Sequence, residues 1–368
     1  MTMMSDLPWD LVEEILCRVP AISLKRLRSS CKRWNGLFND KEFARKHFHK
    51  APKQSFVLTV TKEFKICLMS LNLHGTPSLE FKGACSLLDY SNQVSTVFHC
   101  DGLLLCTFDK DARIMLWNPC TGGTRWIQPF NGSYTYALGS YQESSYKILS
   151  RGDSVHEFAI YEVNSNSWRI LDVIKDFLLL YTSTYVSLKG KTYWFASDSK
   201  DEQLDMFLVS FDYTTERFGR LSLPFNCPLG CFRDAALSVV SEEKLAVLLQ
   251  RKNTRGKDIW VSNKIDGTNE LSWRKILTVN NARRDIWVTR TRFLLNEEKK
   301  VALCCETCVL DLNTTMKKLV YVAGEEDNIV KLMDYVEVQF GPIVLDYAPS
   351  LIQIPQSMVA KEKKNRGD

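Results

Sequence analysis

No apolar run in this chain of 368 residues approaches the length of a membrane span, and the acidic, apolar-poor start from Met1 to Asp10 lacks the form of a secretory signal. The chain is therefore expected in the cytosol or the nucleus, away from membranes. Signatures of catalysis are missing as well. There is no glycine-rich phosphate loop, no His-Glu-x-x-His and no nucleophile elbow. Histidine is scarce, and His47, His49, His74, His99 and His156 lie in separate segments with only the first two close together. A basic stripe is absent too. Of the net charge of +5, residues 1–50 carry +4 and residues 359–368 carry +2, which leaves the body at −1. A nearly neutral body argues against nucleic-acid binding, which draws on clustered lysine and arginine. The basic surplus near the N-terminus suits an acidic partner, and it equally describes ordinary solvated lysines.

Cysteine, by contrast, is plentiful at 12 residues. In a reducing compartment these thiols are expected to be free and mostly buried as small hydrophobes. The run Cys304-Cys305-Glu306-Thr307-Cys308 invites a zinc reading. On a strand, however, Cys304 and Cys308 face one way and Cys305 the other, so buried structural thiols fit better. Cys227 and Cys231 flank Pro228-Leu229-Gly230 in an expected loop, and no further ligands present themselves for a metal there. No cofactor or metal is assigned.

Residues 7–50 read as a helical block. Leu7, Leu11, Ile15, Leu16 and Val19 fall on one helix face, with Asp10, Glu13, Glu14 and Arg18 on the other. Pro8 suits the first turn and Pro20 stops the helix near Arg18 or Val19, after about three turns. A second periodic stretch places Leu24, Leu27, Cys31 and Trp34 together, followed by Leu37 and Phe38. Asp40 can cap a further short helix that presents Phe43 and His47 or Phe48. So small a block cannot bury its own apolar surface and calls for a partner.

These residues resemble the F-box, which docks onto the Skp-type adaptor of cullin-RING ubiquitin ligases. The carrying pattern is Leu7-Pro8, Leu11, Glu14-Ile15-Leu16, Arg18-Val19-Pro20, Ser23-Leu24, Cys31-Lys32, Trp34, and Asp40 with Phe43. Ser30 stands where the family usually has valine, and Val19 where it usually has leucine. The resemblance implies adaptor docking through Leu7, Pro8, Leu11, Ile15, Leu16, Pro20, Leu24, Leu27 and Trp34. The competing reading is a helical subdomain packed only on its own C-terminal domain.

At Ala51-Pro52-Lys53 helical periodicity gives way to strand alternation, beginning at Phe56-Val57-Leu58-Thr59-Val60. From there the chain repeats. Strands anchored at Leu71, Leu116, Tyr161, Phe211, Val261 and Leu310 recur at steps of 45, 45, 50, 50 and 49 residues. Most are followed by a polar turn and an aromatic return strand, as in Asn118-Pro119 before Trp126 and Asn164-Ser165-Asn166 before Trp168. About four short strands per period is the signature of a β-propeller blade, and six anchors predict six blades. Closure would pair Phe56 to Thr61 with the segment Tyr335 to Ile354. A β-sandwich with irregular loops is the alternative.

This body resembles the plant F-box-associated domain, type one, with kelch-like repeats. The resemblance rests on Cys100-Asp101-Gly102-Leu103-Leu104-Leu105-Cys106, Leu116-Trp117-Asn118-Pro119, Tyr146-Lys147-Ile148, Ser167-Trp168-Arg169, Leu188-Lys189-Gly190-Lys191-Thr192-Tyr193-Trp194, Phe211-Asp212, Leu223-Pro224-Phe225 and Ile259-Trp260-Val261. It spans roughly residues 95–280, more weakly to 354, and departs at Leu138-Gly139-Ser140, where the family often has an aromatic after the glycine. The expected organisation is an all-α F-box over 1–50, an all-β propeller over 51–355 and a polar tail over 356–368.

Together these resemblances imply a non-catalytic substrate adaptor of an SCF-type ubiquitin ligase, bound through the Skp-type adaptor to cullin and RING subunits. Inter-strand loops at one propeller face would capture a target protein, with Tyr134, Tyr136, Phe232, Arg233, Arg283, Arg284 and Trp287 as candidate anchors. The alternatives are a kelch-like propeller enzyme, an oxidase or a sugar-acting protein, and an interaction protein that binds the adaptor without degrading a target.

Overall fold

The computed structural model describes residues 7–355 apart from 61–65, 74–75, 86–93, 109–112, 131–132, 143–144, 153–157, 174–175, 181–183, 199–204, 226–227, 255, 267–269, 281–286, 310–315, 326–328 and 338–344. Helices α1 (Trp9–Leu16), α2 (Ala21–Leu27), α3 (Lys32–Phe38) and α4 (Lys41–Lys50) come first. Pro8 and Pro20 stand immediately before α1 and α2, where a missing N–H costs nothing. The Asp40 carboxylate caps α4 by accepting the Phe43 N–H at 2.9 Å, as its position predicts. Two expectations need correction. α1 is eight residues, just over two turns. The periodic stretch from Leu24 to Trp34 is two helices, because the chain becomes extended at Cys31 and restarts as α3.

After α4 the regular elements of the described residues are strands, apart from one 3-10 turn at Leu229–Cys231. β1 (Phe56–Val60), β2 (Ile66–Asn72) and β3 (Ser78–Cys85) begin one sheet; β4 (Val94–Cys100), β5 (Leu103–Phe108), β6 (Ile114–Trp117) and β7 (Thr124–Ile127) form the next. The third holds β8 (Ser133–Tyr141), β9 (Ser145–Gly152), β10 (Phe158–Glu162) and β11 (Ser167–Leu171). The fourth has five strands, β12 (Phe177–Leu179), β13 (Val186–Leu188), β14 (Lys191–Asp198), β15 (Met206–Asp212) and β16 (Arg217–Leu221). The fifth is β17 (Phe232–Val240), β18 (Lys244–Arg251), β19 (Gly256–Ser262) and β20 (Trp273–Asn280). The sixth is β21 (Trp287–Asn296), β22 (Val301–Val309), β23 (Met316–Ala323) and β24 (Ile329–Glu337). Finally β25 (Leu345–Tyr347) returns to the first sheet and pairs with β1 through Phe56↔Tyr347, Val57↔Asp346 and Leu58↔Leu345.

Strands β25, β4, β8, β13, β17 and β21 contact one another in that order and back to β25, so they are the inner strands of a closed six-bladed propeller. Closure joins the two segments that the sequence nominated. Apolar clusters fill the spaces between neighbouring blades, which explains why β6, β14 and β18 are buried along nearly their whole length while outer strands such as β11 and β16 alternate toward solvent. Tight turns link the strands. Asp101-Gly102 and Lys189-Gly190 both take positive φ, +53° and +80°, then +49° and +73°, the requirement of a two-residue hairpin turn.

The first five repeat anchors lie on β2, β6, β10, β15 and β19, the third strand outward in each blade. The sixth is out of phase. Leu310 lies outside the described residues, immediately after β22, the second strand of its blade; the true counterpart is β23. The polar run Asp311-Leu312-Asn313-Thr314 mimics the turn that follows a third strand elsewhere.

Between blades five and six one charged cluster is fully buried. Lys257 Nζ lies 2.6 Å from an Asp234 oxygen and 2.8 Å from Glu306, and donates to Thr291 Oγ1 at 3.0 Å. Tyr321 OH donates to Glu306 at 2.6 Å. Burial pulls the Lys257 pKa down, but the two carboxylates reverse that and raise it overall, keeping the ammonium charged.

Candidate functional site: the helical block and the two ends of the ring

The helical block has its own small core of Val12, Leu16, Cys17, Ala21, Leu24, Phe38, Phe43 and Ala44, and it is completed by two residues of the propeller domain, Cys120 and Leu351. Polar contacts reinforce the join. Lys25 Nζ donates to the Pro119 carbonyl at 3.0 Å, and the Cys120 thiol points at the Ala21 carbonyl at 3.7 Å. Inside the block the His47 ring nitrogen Nε2 meets the Val19 carbonyl at 2.7 Å, and burial lowers its pKa.

The segment after β25 is the strap that holds block and ring together. Leu351 enters the helical core while Ile352 and Ile354 enter the propeller core. Asn118, wholly buried, donates to the carbonyls of Ser350 at 3.0 Å and Ile352 at 2.8 Å, and accepts from the N–H groups of Cys120 and Thr121. Arg125 donates to the Pro355 carbonyl at 2.7 Å. Because Gly102 has positive φ and an added Cβ there would collide with Ser350 and Ala348, only glycine lets the strap lie so close to the β4–β5 turn.

The nine docking residues implied by the F-box resemblance divide by exposure. Leu16 and Leu24 are fully buried, Leu7, Leu27 and Trp34 are half-buried around the same core, and Pro20 is half-buried. Pro8 is exposed, and Leu11 and Ile15 remain 49% and 42% exposed, unusual for large aliphatic side chains. The expected single apolar face of α1 is therefore two. Val12, which stepping by four residues passes over, turns inward with Leu16, and Leu11 with Ile15, one turn apart, points to solvent. Around this patch sit charged groups. Arg33 lies over the Trp9 ring at 3.6 Å, and Glu14 accepts from Arg18 and Lys50 at 2.8 and 2.7 Å, which lowers its pKa.

Pro20, Ala21 and His47 share a crevice with Asp101, Glu242 and Ala348, each of which follows the end of an inner strand. The helices thus sit at the ring face where inner strands end. The target-capture candidates among the described residues lie toward the other face. Tyr134 and Tyr136 are near the start of β8, Phe232 and Arg233 open β17, and Trp287 opens β21; Arg283 and Arg284 lie outside the described residues. Arg233 is exposed, whereas Phe232 is half-buried against Phe225, their rings 6.0 Å apart. Tyr136 is buried in the core, with its ring 6.3 Å from Trp168, so its aromatic side chain serves packing between strands and not a free surface.

Along the ring axis runs a cavity of about 730 Å³, lined from all six inner strands. No local pattern announces it, since its walls come from residues separated by whole blades. Two of its lining groups are held uncharged: the His99 Nε2 accepts the Gly102 N–H at 3.0 Å and burial takes its pKa down to about 4, while burial pushes the Cys100 thiol well up. Cys304 and Cys305 lie in different inter-blade clusters, on opposite faces of β22 as strand alternation requires. Cys231 is exposed, and Cys227 lies outside the described residues.

The F-box domain profile matches residues 4–46, and that of the F-box associated beta propeller domain matches residues 57–354. A probable F-box protein of Arabidopsis thaliana is 50% identical over 378 residues, covering 98% of this chain and 90% of the relative. An F-box/kelch-repeat protein of the same plant is 45% identical, covering 95% and 96%. With its four N-terminal helices strapped onto a closed six-bladed ring, this chain belongs to the family of F-box proteins that carry an F-box associated β-propeller domain.

Proposed function

We propose that this chain is the substrate-recognition subunit of an SCF-type ubiquitin ligase, acting in the cytosol or nucleus and doing no bond chemistry of its own. The helical block binds a Skp-type adaptor and through it the cullin and RING subunits. The ring face away from the helices binds a target protein. The contribution to ubiquitin transfer is proximity: a held target meets the charged conjugating enzyme at a raised effective concentration.

The observation that carries this reading is the exposed pair Leu11 and Ile15 on an otherwise completed helical block. Leu16 and Leu24 already have their partners within the chain, so an apolar patch left over on α1 is a surface suited to a second protein. The half-buried rim of Leu7, Leu27 and Trp34 widens it. Opposite placement of the docking and capture faces keeps the two partners from competing for space.

The test is co-purification of the full-length chain with a recombinant Skp-type adaptor. The wild type is expected to bind. Replacing Leu11 and Ile15 together by Ala is expected to weaken binding by about tenfold or more with unchanged unfolding, as for truncated interface anchors. Leu16→Ala is expected to lower stability by roughly 2–5 kcal/mol, because it opens a cavity in the block. Unimpaired binding by the Leu11, Ile15 double variant would remove the assignment of this face.

A further inference from the structure

Along β21, Thr291 and Phe293 turn toward blade five, where Thr291 completes the buried cluster around Lys257. The residues that alternate with them, Arg290 and Arg292, fall on the other face and line the axial cavity. Both faces carry cations, but only one set is balanced by carboxylates. Lys257 has two carboxylates. Arg292, deep in the ring, has Arg290 as its nearby charge, and among the described residues neither arginine makes an ion pair or hydrogen bond with a carboxylate.

The acidic groups that line the cavity are otherwise engaged. Glu242 pairs with Lys53. The Asp101 carboxylate accepts from Tyr146 OH at 3.4 Å. Burial raises the Asp346 pKa to about 6, against the opposing pull of its hydrogen bond with Ser55, and so weakens it as a counter-ion. Burial and the like charge of Arg290 both lower the Arg292 pKa, the mark of a cation without compensation. A guanidinium drawn out of water beside a second one costs stability unless an anion joins them, and their planar forks match carboxylate and phosphate oxygens.

We propose that the axial cavity is an oxyanion-binding site in which Arg290 and Arg292 hold the phosphate or carboxylate group of a small molecule. The volume of about 730 Å³ lies within the range of sites for such ligands. Across the axis the wall is apolar: Tyr185 is stacked on Phe98 with centroids 4.9 Å apart, and Trp194 follows at 6.1 Å. Arg151 adds a third guanidinium to the lining. Exposed Arg290, near the start of β21, marks the way in from the ring face opposite the helices. The site stands independently of the adaptor reading.

The experiment is calorimetric titration of the full-length protein with inorganic pyrophosphate and, separately, with benzoate, at ionic strength held constant with sodium chloride. Saturable binding of at least one probe with a single site per chain is expected, and preference between the two tells phosphate from carboxylate. Arg290→Gln and Arg292→Gln are each expected to weaken binding about tenfold or more. Arg292→Gln should also leave the ligand-free unfolding temperature unchanged or higher, which a purely structural arginine would not do. No saturation by either probe, or binding that survives both substitutions, overturns the proposal. If Arg292→Gln does not fold, Arg290→Gln and the wild-type titration decide it alone.

Discussion

Asn118 concentrates several long-range obligations in one side chain. Its amide spans the turn after β6, two carbonyls of the strap and two backbone N–H groups beside the helical block. Replacing it by Ala strands those groups in a buried setting, at an expected cost of about 2–4 kcal/mol in urea unfolding. Asn118→Asp should not rescue it, because a carboxylate cannot donate to the carbonyls of Ser350 and Ile352. Wild-type stability in either variant would refute the assignment. Asn118-Pro119 was readable as a turn from the sequence, but its partners were not, since Ser350 lies 232 positions away. Similarly, the periodicity of α1 announced a helix without telling Val12 from Leu11, because which side is covered depends on Leu351 and Cys120 from the other domain. Gly139 makes the same point. Its neighbourhood departs from the family pattern, and the space an added Cβ would take is filled by the Tyr213 ring from the next blade.

Among the elements, strands declared themselves through apolar runs and hairpins through their turn residues, because both are local. Phase within a blade was less legible. β22 ends in the same apolar-then-polar pattern as a third strand, and only its pairing with both β21 and β23 shows that it is second. The seam between β1 and β25 is the element with the clearest pH signature. The Asp346 carboxyl, paired opposite Val57, has its pKa raised from 3.8 to about 6 by burial. The folded state therefore holds this proton more tightly than the unfolded chain does, so the group favours folding fully below pH 4 and loses that contribution as pH rises through about 6. Asp346→Asn should gain on the wild type across that interval, by something on the order of 2 kcal/mol, in denaturant unfolding at a series of pH values. A difference that stays flat with pH would show that Asp346 keeps its ordinary pKa. His99 works in the opposite sense. Its pKa is lowered to about 4, so its contribution is present above pH 6.5 and fades as pH falls, which is why the comparison must be between variants.

At the scale of the whole molecule, the two domains share a core, and removing residues 1–50 would expose Cys120 and Leu351. Point substitutions are the sounder probe. Leu351→Ala, a change at the far end of the chain, should quicken amide hydrogen exchange throughout α2 to α4 while leaving β14 and β18 protected. Equal protection in the helices of both proteins would mean that the strap merely rests on them. The blade count and the joining of first and last strands could be anticipated because repetition is written along the chain; the strap and the axial cavity could not, being products of the ring once closed. That strap also imposes an order on synthesis. Residues 7–50 leave the ribosome first, yet they lack Leu351 until nearly the whole chain has followed. A message cut short anywhere before codon 351 yields N-terminal helices with an unfilled core, so under the proposed function a chain with no finished ring is handicapped in occupying an adaptor that intact copies would use.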